Sequence, residues 1–117
     1  MNERADRFFT ARNVFYGDIH NHCGISYGHG SLEEALNNAA LQLDFAAVTG
    51  HAAWPDMDDV SMDDALVEYH ERGFAKLRRN WPEYIDTIER YNQTGSFVTF
   101  FSYEYHSFRH GDRTIVT

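Results

Sequence analysis

The segment from Val14 to Thr49 constrains the fold more than any other, because it reads as a strand, a capped helix and a wholly apolar strand in direct succession. Val14-Phe15-Tyr16 opens a short buried strand over roughly 14–20, and a glycine-bearing loop runs on to Gly30. Ser31-Leu32-Glu33-Glu34 is a capping box, with the Ser31 hydroxyl facing the free amides of the first turn and Glu34 reaching back. The helix it starts carries Leu32, Leu36, Ala39, Ala40 and Leu43 at three- and four-residue steps, which predicts one buried stripe. Phe45-Ala46-Ala47-Val48-Thr49 has no polar alternation and predicts a strand covered on both faces. Such a βαβ unit implies a parallel pair with a right-handed crossover.

Further along, Ala52 to Asp59 reads as a loop, with a break at Trp54-Pro55. Ser61 is placed to cap a helix reaching about Arg79, with Met62, Ala65, Leu66 and Tyr69 as its apolar stripe and Gly73 weakening it. His70, among Glu68, Glu71 and Arg72, is expected on the solvated face and outside any site. Trp81-Pro82 predicts a break, followed by another helix that buries Tyr84, Ile85, Ile88 and Tyr91 and stops at Thr94-Gly95. A third strand follows over 97–103, and Thr114 to Thr117 reads as the start of a fourth. The division expected is an amino-terminal extension over 1–13, on which Phe8 and Phe9 would dock against the body, and one domain over 14–117.

Composition excludes several classes of function. The 117 residues hold one domain with a modest core. Ten basic against eighteen acidic residues, a net charge of −8, disfavour nucleic acid and anionic membranes, and no apolar run is long enough to span a bilayer. An acidic chain that handles phosphate must neutralise it locally. The first residues lack the apolar stretch of a secretory signal, and the single cysteine rules out an internal disulfide, so a cytoplasmic location is expected. Cys23 reads as a small packed residue, because it points away from the face that carries His22.

Chemistry gathers where strands end. His20 and His22 are two apart and share a face, with Asp18 behind them; His51 stands just past the second strand and Glu104 at the exit of the third, sharing a face with Ser102 and His106. In parallel strands these residues lie at one carboxyl edge. Imidazole nitrogen and carboxylate oxygen suit a zinc, manganese or iron ion, and Asp18 could hold a ring tautomer from behind. Taken alone, the H-x-H pair fits two surface histidines beside a turn equally well. Arg109 and Arg113 suit either phosphate pairing or solvated surface charge.

Three motifs together resemble the PHP (polymerase and histidinol phosphatase) superfamily. Asp18-Ile19-His20-Asn21-His22 resembles its D-x-H-x-H; Asp44 through His51 resembles its "G-x-D-x-x-A-x-T-D-H"; and Tyr103-Glu104-Tyr105-His106 supplies a glutamate resembling its bridging metal ligand. The resemblance covers Tyr16 to about Val116. It implies an α/β fold, the amino-terminal part of a distorted (β/α)₇ barrel with parallel strands. It also implies two or three divalent ions held by His20, His22, His51 and Glu104, with His29 as a fifth ligand and His106 a candidate by proximity. The function implied is metal-dependent hydrolysis of a small phosphorylated substrate.

Two departures set the alternatives. Gly50 stands where the family usually has aspartate, so a carboxylate beside the metal shell is expected to be missing. The family's later motifs would lie beyond Thr117, so the chain is expected to be part of a longer protein, inactive by itself and self-associating through an open parallel edge. The competing readings are a degenerate or truncated module that binds metal without turnover, and a metal-dependent amidohydrolase, which also opens with H-x-H.

Overall fold

The computed structural model describes residues 13–117. The expected extension over 1–13 and the docking of Phe8 and Phe9 therefore lie, but for Asn13, outside the described residues. The order of elements is β1 (Gly17–Asn21), α1 (Leu32–Ala40), β2 (Phe45–Val48), β3 (Gly50–Ala53), a 3₁₀ turn (Met57–Asp59), α2 (Asp64–Tyr91), β4 (Val98–Thr99), β5 (Ser102–Tyr105) and β6 (Arg113–Val116). They form two three-stranded sheets. In the first, β1, β2 and β4 are parallel and β2 is central; in the second, β5 pairs parallel with β3 and antiparallel with β6.

The capping box forms as expected: Glu34 N donates to the Ser31 hydroxyl at 3.1 Å, and Ser31 N donates to the Glu34 carboxylate at 2.8 Å. Leu32 and Leu36 of α1 are buried, whereas Ala40 is exposed and Ala35 takes its place in the stripe. The central strand β2 is buried on both faces at Ala46, Ala47 and Val48, as an apolar run in a covered parallel sheet should be. β1 departs from expectation. It starts at Gly17 on the sheet edge, and Val14, Phe15 and Tyr16 precede it fully exposed rather than buried.

Three further expectations are corrected. The loop after the second strand is displaced, because Gly50–Ala53 forms β3. One strand of sequence thus bends at Thr49 and pairs twice, first with β1 and β4 and then with β5. The same bend divides the third strand into β4 and β5, so His51 and Glu104 lie within strands rather than past their ends. The fourth strand is antiparallel, because the short 106–112 connection cannot make the crossover of about a dozen residues that a parallel partner needs.

Trp81-Pro82 does not break a helix. α2 runs unbroken for 28 residues with Pro82 inside, and its cap is Asp63, whose carboxylate accepts from Ala65 N at 2.8 Å, rather than Ser61. An interior proline costs about 3 kcal/mol. Leu77, Tyr84 and Ile88 are buried on one stripe across the site of the proline, each contributing about 1.5–3 kcal/mol. Burial outweighs the lost hydrogen bond, and the pyrrolidine ring faces solvent. α2 packs on β3 and β4 and lies beside α1, to which it is tied by an Arg90–Glu33 ion pair and by the Tyr91 hydroxyl donating to Asn37 Oδ1 at 2.8 Å. Among the described residues no helix is long and apolar enough to cross a membrane.

The fully buried Tyr84 joins the two sheets. Its hydroxyl accepts from Ser102 N at 3.0 Å and donates to the Ser102 carbonyl at 2.9 Å, with the Val48 carbonyl 3.0 Å away; Ser102 Oγ donates to that same Val48 oxygen at 3.1 Å. Val48 is the last residue of β2 and Ser102 the first of β5, so the phenol satisfies backbone groups that both strands release where they bend. Tyr84→Phe keeps the ring and strands the Ser102 amide. The expected loss is about 1–3 kcal/mol in urea unfolding, and an unchanged midpoint would show that the joint does not depend on the hydroxyl.

Candidate metal centre

The bend between the sheets brings β1, β3, β5 and β6 to one place. His51 and Glu104 are direct cross-strand partners, as are Glu104 and Thr114. The β1–β2 register shifts between Asp18 and Asn21, at the level of His20. Beyond that shift the His20 and His22 rings meet edge to face, with their Nε2 atoms 3.0 Å apart. Two groups of donors result, His20, His22 and Glu104 on one side and His51, Glu104 and His106 on the other.

Glu104 belongs to both. Its side chain is 6% exposed; Oε2 lies 3.0 Å from His51 Nδ1 and 3.4 Å from His22 Nε2, and Oε1 lies 3.8 Å from His20 Nε2. Yet Oε2 accepts no hydrogen bond. These contacts are not ion pairs in the ordinary sense. Burial, reinforced by the neighbouring His22 and His106, holds His51 down to about 3, and burial outweighs the pull of Glu104 to keep His22 below its usual range. Both rings are therefore neutral near pH 7. Neutral imidazole nitrogens facing one another and an unpartnered carboxylate oxygen form a set of electron-pair donors without enough protons between them. Metal–donor distances of about 2.0–2.2 Å put neighbouring donors about 3–3.5 Å apart, so the set fits a divalent cation of the zinc, manganese or iron type.

Outer partners fix the rings. Asp112 Oδ1 lies 3.1 Å from His106 Nδ1 and so holds the proton there, leaving Nε2 as a bare donor 2.6 Å from His51 Nδ1. Thr114 Oγ1 lies 2.5 Å from His20 Nδ1. The Ser26 hydroxyl accepts from His51 N at 3.1 Å. Asp56 anchors the loop after β5 by accepting from Ser107 Oγ, Phe108 N and Arg109 N, and these bonds hold its carboxyl down to about 2.

The predicted site residues divide clearly. His20, His22, His51, Glu104 and His106 come together. His29 does not join either group; it is exposed on an open cleft of about 700 Å³ that it shares with His22 and Glu34. Asp18 holds the backbone amide of His20 at 2.8 Å rather than an imidazole, and the role expected of it falls to Thr114. Arg109 pairs with Asp59 at 2.7 Å. Arg113 is the cross-strand partner of Tyr105, on the face of β6 opposite Thr114, and so points away from the cluster. Cys23 is buried in the core, where burial pushes its thiol up.

Gly50 also has a different meaning from that expected. A Cβ there would lie 2.8 Å from Leu77 Cδ1 and 3.1 Å from Ile25 Cγ2, so the position faces the core and not the metal shell. His70 is half-buried rather than solvated. Its Nδ1 donates to the Leu66 carbonyl at 2.7 Å, and its ring stands edge-on to Trp54 and Tyr27 beside the cluster. Sequence reasoning missed Asp112, Thr114 and Tyr27. The only signal for the first two was their place at the start of the hairpin arm that returns on Glu104. Gly73 betrays Tyr27, because a Cβ there would lie 1.9 Å from the tyrosine Cδ1.

Fold and site together define an α/β domain with a buried glutamate shared between two pairs of imidazoles. The family model described as "Protein of unknown function (DUF3604)" matches residues 33–114, and the chain belongs to that family. The match includes His51, Glu104, His106, Asp112 and Thr114; His20 and His22 precede it. No curated protein and no solved structure matches the chain.

Depressed histidine basicity has a pH signature. Between the ordinary 6.5 and the folded value of about 3 for His51, the unfolded state binds the additional proton. Stability present above pH 6.5 is therefore lost as pH falls towards 3. Chelator-treated protein should show its Tm falling through that window and His51→Gln should flatten the fall; an equal slope in the variant would place the sensitivity elsewhere.

Proposed function

We propose that the chain is a metal-dependent hydrolase of the PHP type acting on small phosphate esters, and that its parallel strands are the first strands of a distorted (β/α)₇ barrel. The observation that carries this reading is the buried Glu104 carboxylate, its Oε2 unpartnered, between His20 and His22 on one side and His51 and His106 on the other. Parallel β1, β2 and β4, joined through α1 and α2, support the barrel reading.

In this reading His20 and His22 would hold one ion and His51 and His106 a second, with Glu104, a member of both donor groups, available to either. A bound divalent ion supplies a water activated near neutral pH and a counter-charge for phosphoryl oxygens. Thr114 and Asp112 keep the His20 and His106 lone pairs aimed inward, and the Asn21 side chain, donating to the Ala47 carbonyl at 3.0 Å, ties the end of β1 to β2 between the two histidines. With Arg109 engaged by Asp59 and Arg113 facing away, neutralisation of the phosphate falls to the ions rather than to arginine.

Two measurements test this. Metal analysis after reconstitution should find stoichiometric zinc, manganese or iron, and manganese- or zinc-dependent release of nitrophenol from aryl phosphates should accompany it. Asp112→Asn is expected to lower metal affinity or turnover by about 10- to 100-fold, and Glu104→Gln by more. Stoichiometric metal with no esterase activity would favour a binding module, and no metal at all would end the hydrolase reading.

The same reading includes self-association of this chain. Ile19 on the edge strand β1 and Val14 and Phe15 just before it are exposed, and apolar edge residues favour pairing with another copy. Sedimentation over a concentration series should show a rising weight-average mass; a constant monomer mass would overturn it.

A further inference from the structure

Tyr27 lies on the loop between the histidine pair and α1, and the structure fixes it from every side. The loop is closed on itself by Gly24 N donating to the Gly30 carbonyl at 2.7 Å and Gly28 N donating to the Cys23 carbonyl at 3.1 Å. The Tyr69 hydroxyl donates to the Tyr27 carbonyl at 3.2 Å. The Tyr27 ring edge fills the space left by the missing side chain of Gly73, and its face stacks on His51 with centroids 4.0 Å apart and planes 14° from parallel. His51 in turn stacks between this group and His22, at 4.3 Å and 10°.

So much positioning delivers one polar atom. The Tyr27 hydroxyl stands 3.2 Å from His106 Nε2, the same nitrogen that lies 2.6 Å from His51 Nδ1 in the second donor group. Asp112 keeps the His106 proton on Nδ1, so Nε2 has one lone pair to offer. If that lone pair is given to a cation, the tyrosine O–H loses its acceptor while remaining at the rim of the site. A half-buried hydroxyl without an acceptor is disfavoured, and an oxyanion held at the His51, Glu104 and His106 group would relieve it.

We propose that the Tyr27 hydroxyl is a substrate-binding donor that hydrogen-bonds a phosphoryl oxygen held at the His51, Glu104 and His106 group. This rests on the metal-hydrolase reading above and adds to it the side-chain O–H that, among the described residues, hydrogen-bonds a ring nitrogen of that group. The ring also shields His51, so the hydroxyl and the aromatic face have separable roles. Tyr27→Phe removes the first and keeps the second.

The test uses cobalt(II) as a visible metal and inorganic phosphate as the oxyanion. Tyr27→Phe should take up the same amount of cobalt as wild type and bind it at least as tightly, because neither donor group includes the hydroxyl and the variant has no bond to His106 Nε2 to give up. Phosphate, followed through the cobalt absorption bands, should bind the variant about 10- to 100-fold more weakly, the worth of a hydrogen bond to a charged acceptor. Equal phosphate affinity in the two proteins would overturn the role of the hydroxyl while leaving the metal reading intact. Absence of cobalt uptake by the wild type would overturn both, and cobalt uptake without phosphate binding would remove the oxyanion. Should Tyr27→Phe fold poorly, the ¹³Cζ resonance of Tyr27 in the cobalt-free, zinc-loaded wild type serves instead. It should move on adding phosphate, and an unmoved resonance at saturating phosphate would refute the contact.

Discussion

The structure depends on a phenol hydroxyl with no access to water. Where β2 gives way to β3 and β4 to β5, two strands leave one sheet and enter another, and their backbone groups at the bend lose their ladder partners. Tyr84 is carried to that point by α2 and takes up the Ser102 amide and carbonyl, while the Ser102 hydroxyl takes up the Val48 carbonyl. A buried amide left alone costs about 1–3 kcal/mol, a large part of the net stability of a domain of this size. The bend is tolerable because one side chain answers for it, and α2 can deliver that side chain only by remaining helical through Pro82.

The candidate site is a product of the same bend. Had β2 and β4 continued straight, His51 and Glu104 would stand at the end of a single parallel sheet. Bent, they become cross-strand partners in a second sheet whose antiparallel neighbour adds Thr114 and whose hairpin adds Asp112. A buried carboxylate gains little from the neutral imidazoles of His51 and His22 at 3.0 and 3.4 Å, and neither contact gives Oε2 a hydrogen bond. The arrangement resembles a coordination shell more than a network that stabilises the fold, because Thr114 and Asp112 hold the His20 and His106 rings from outside and leave their inner nitrogens to the cluster.

The local elements were legible where one interaction decides them. Ser31 and Glu34 form their box because both partners lie within four residues, and Ala46 to Val48 is buried because nothing in that run is polar. Other readings failed where a distant group outbid a local rule. Pro82 predicted a break, but the burial of Leu77, Tyr84 and Ile88 on either side overrode it. Gly50-His51-Ala52-Ala53 lacks the β-branched residues of a typical strand and takes that form through pairing with β5. His70 looked solvated by the charge of its neighbours, yet a turn of helix sets it against Trp54 and Tyr27.

By itself the sequence determined the types of donor and their spacing: His20 and His22 two apart at the end of the first strand, His51 after the apolar run, and Glu104 two residues before His106. Spacing along one chain is enough for that, since side-chain direction repeats with the backbone period. Only the tertiary structure decided which donors meet. It left His29 on an exposed cleft, turned Gly50 into the core, drew Arg109 to Asp59, folded Asp112 back onto His106, and brought Thr114 and Tyr27 to rings far away in sequence. Convergence within 4.8 Å depends on where strands bend and which partner strand they meet, and those are set by packing against α2 rather than by any local period.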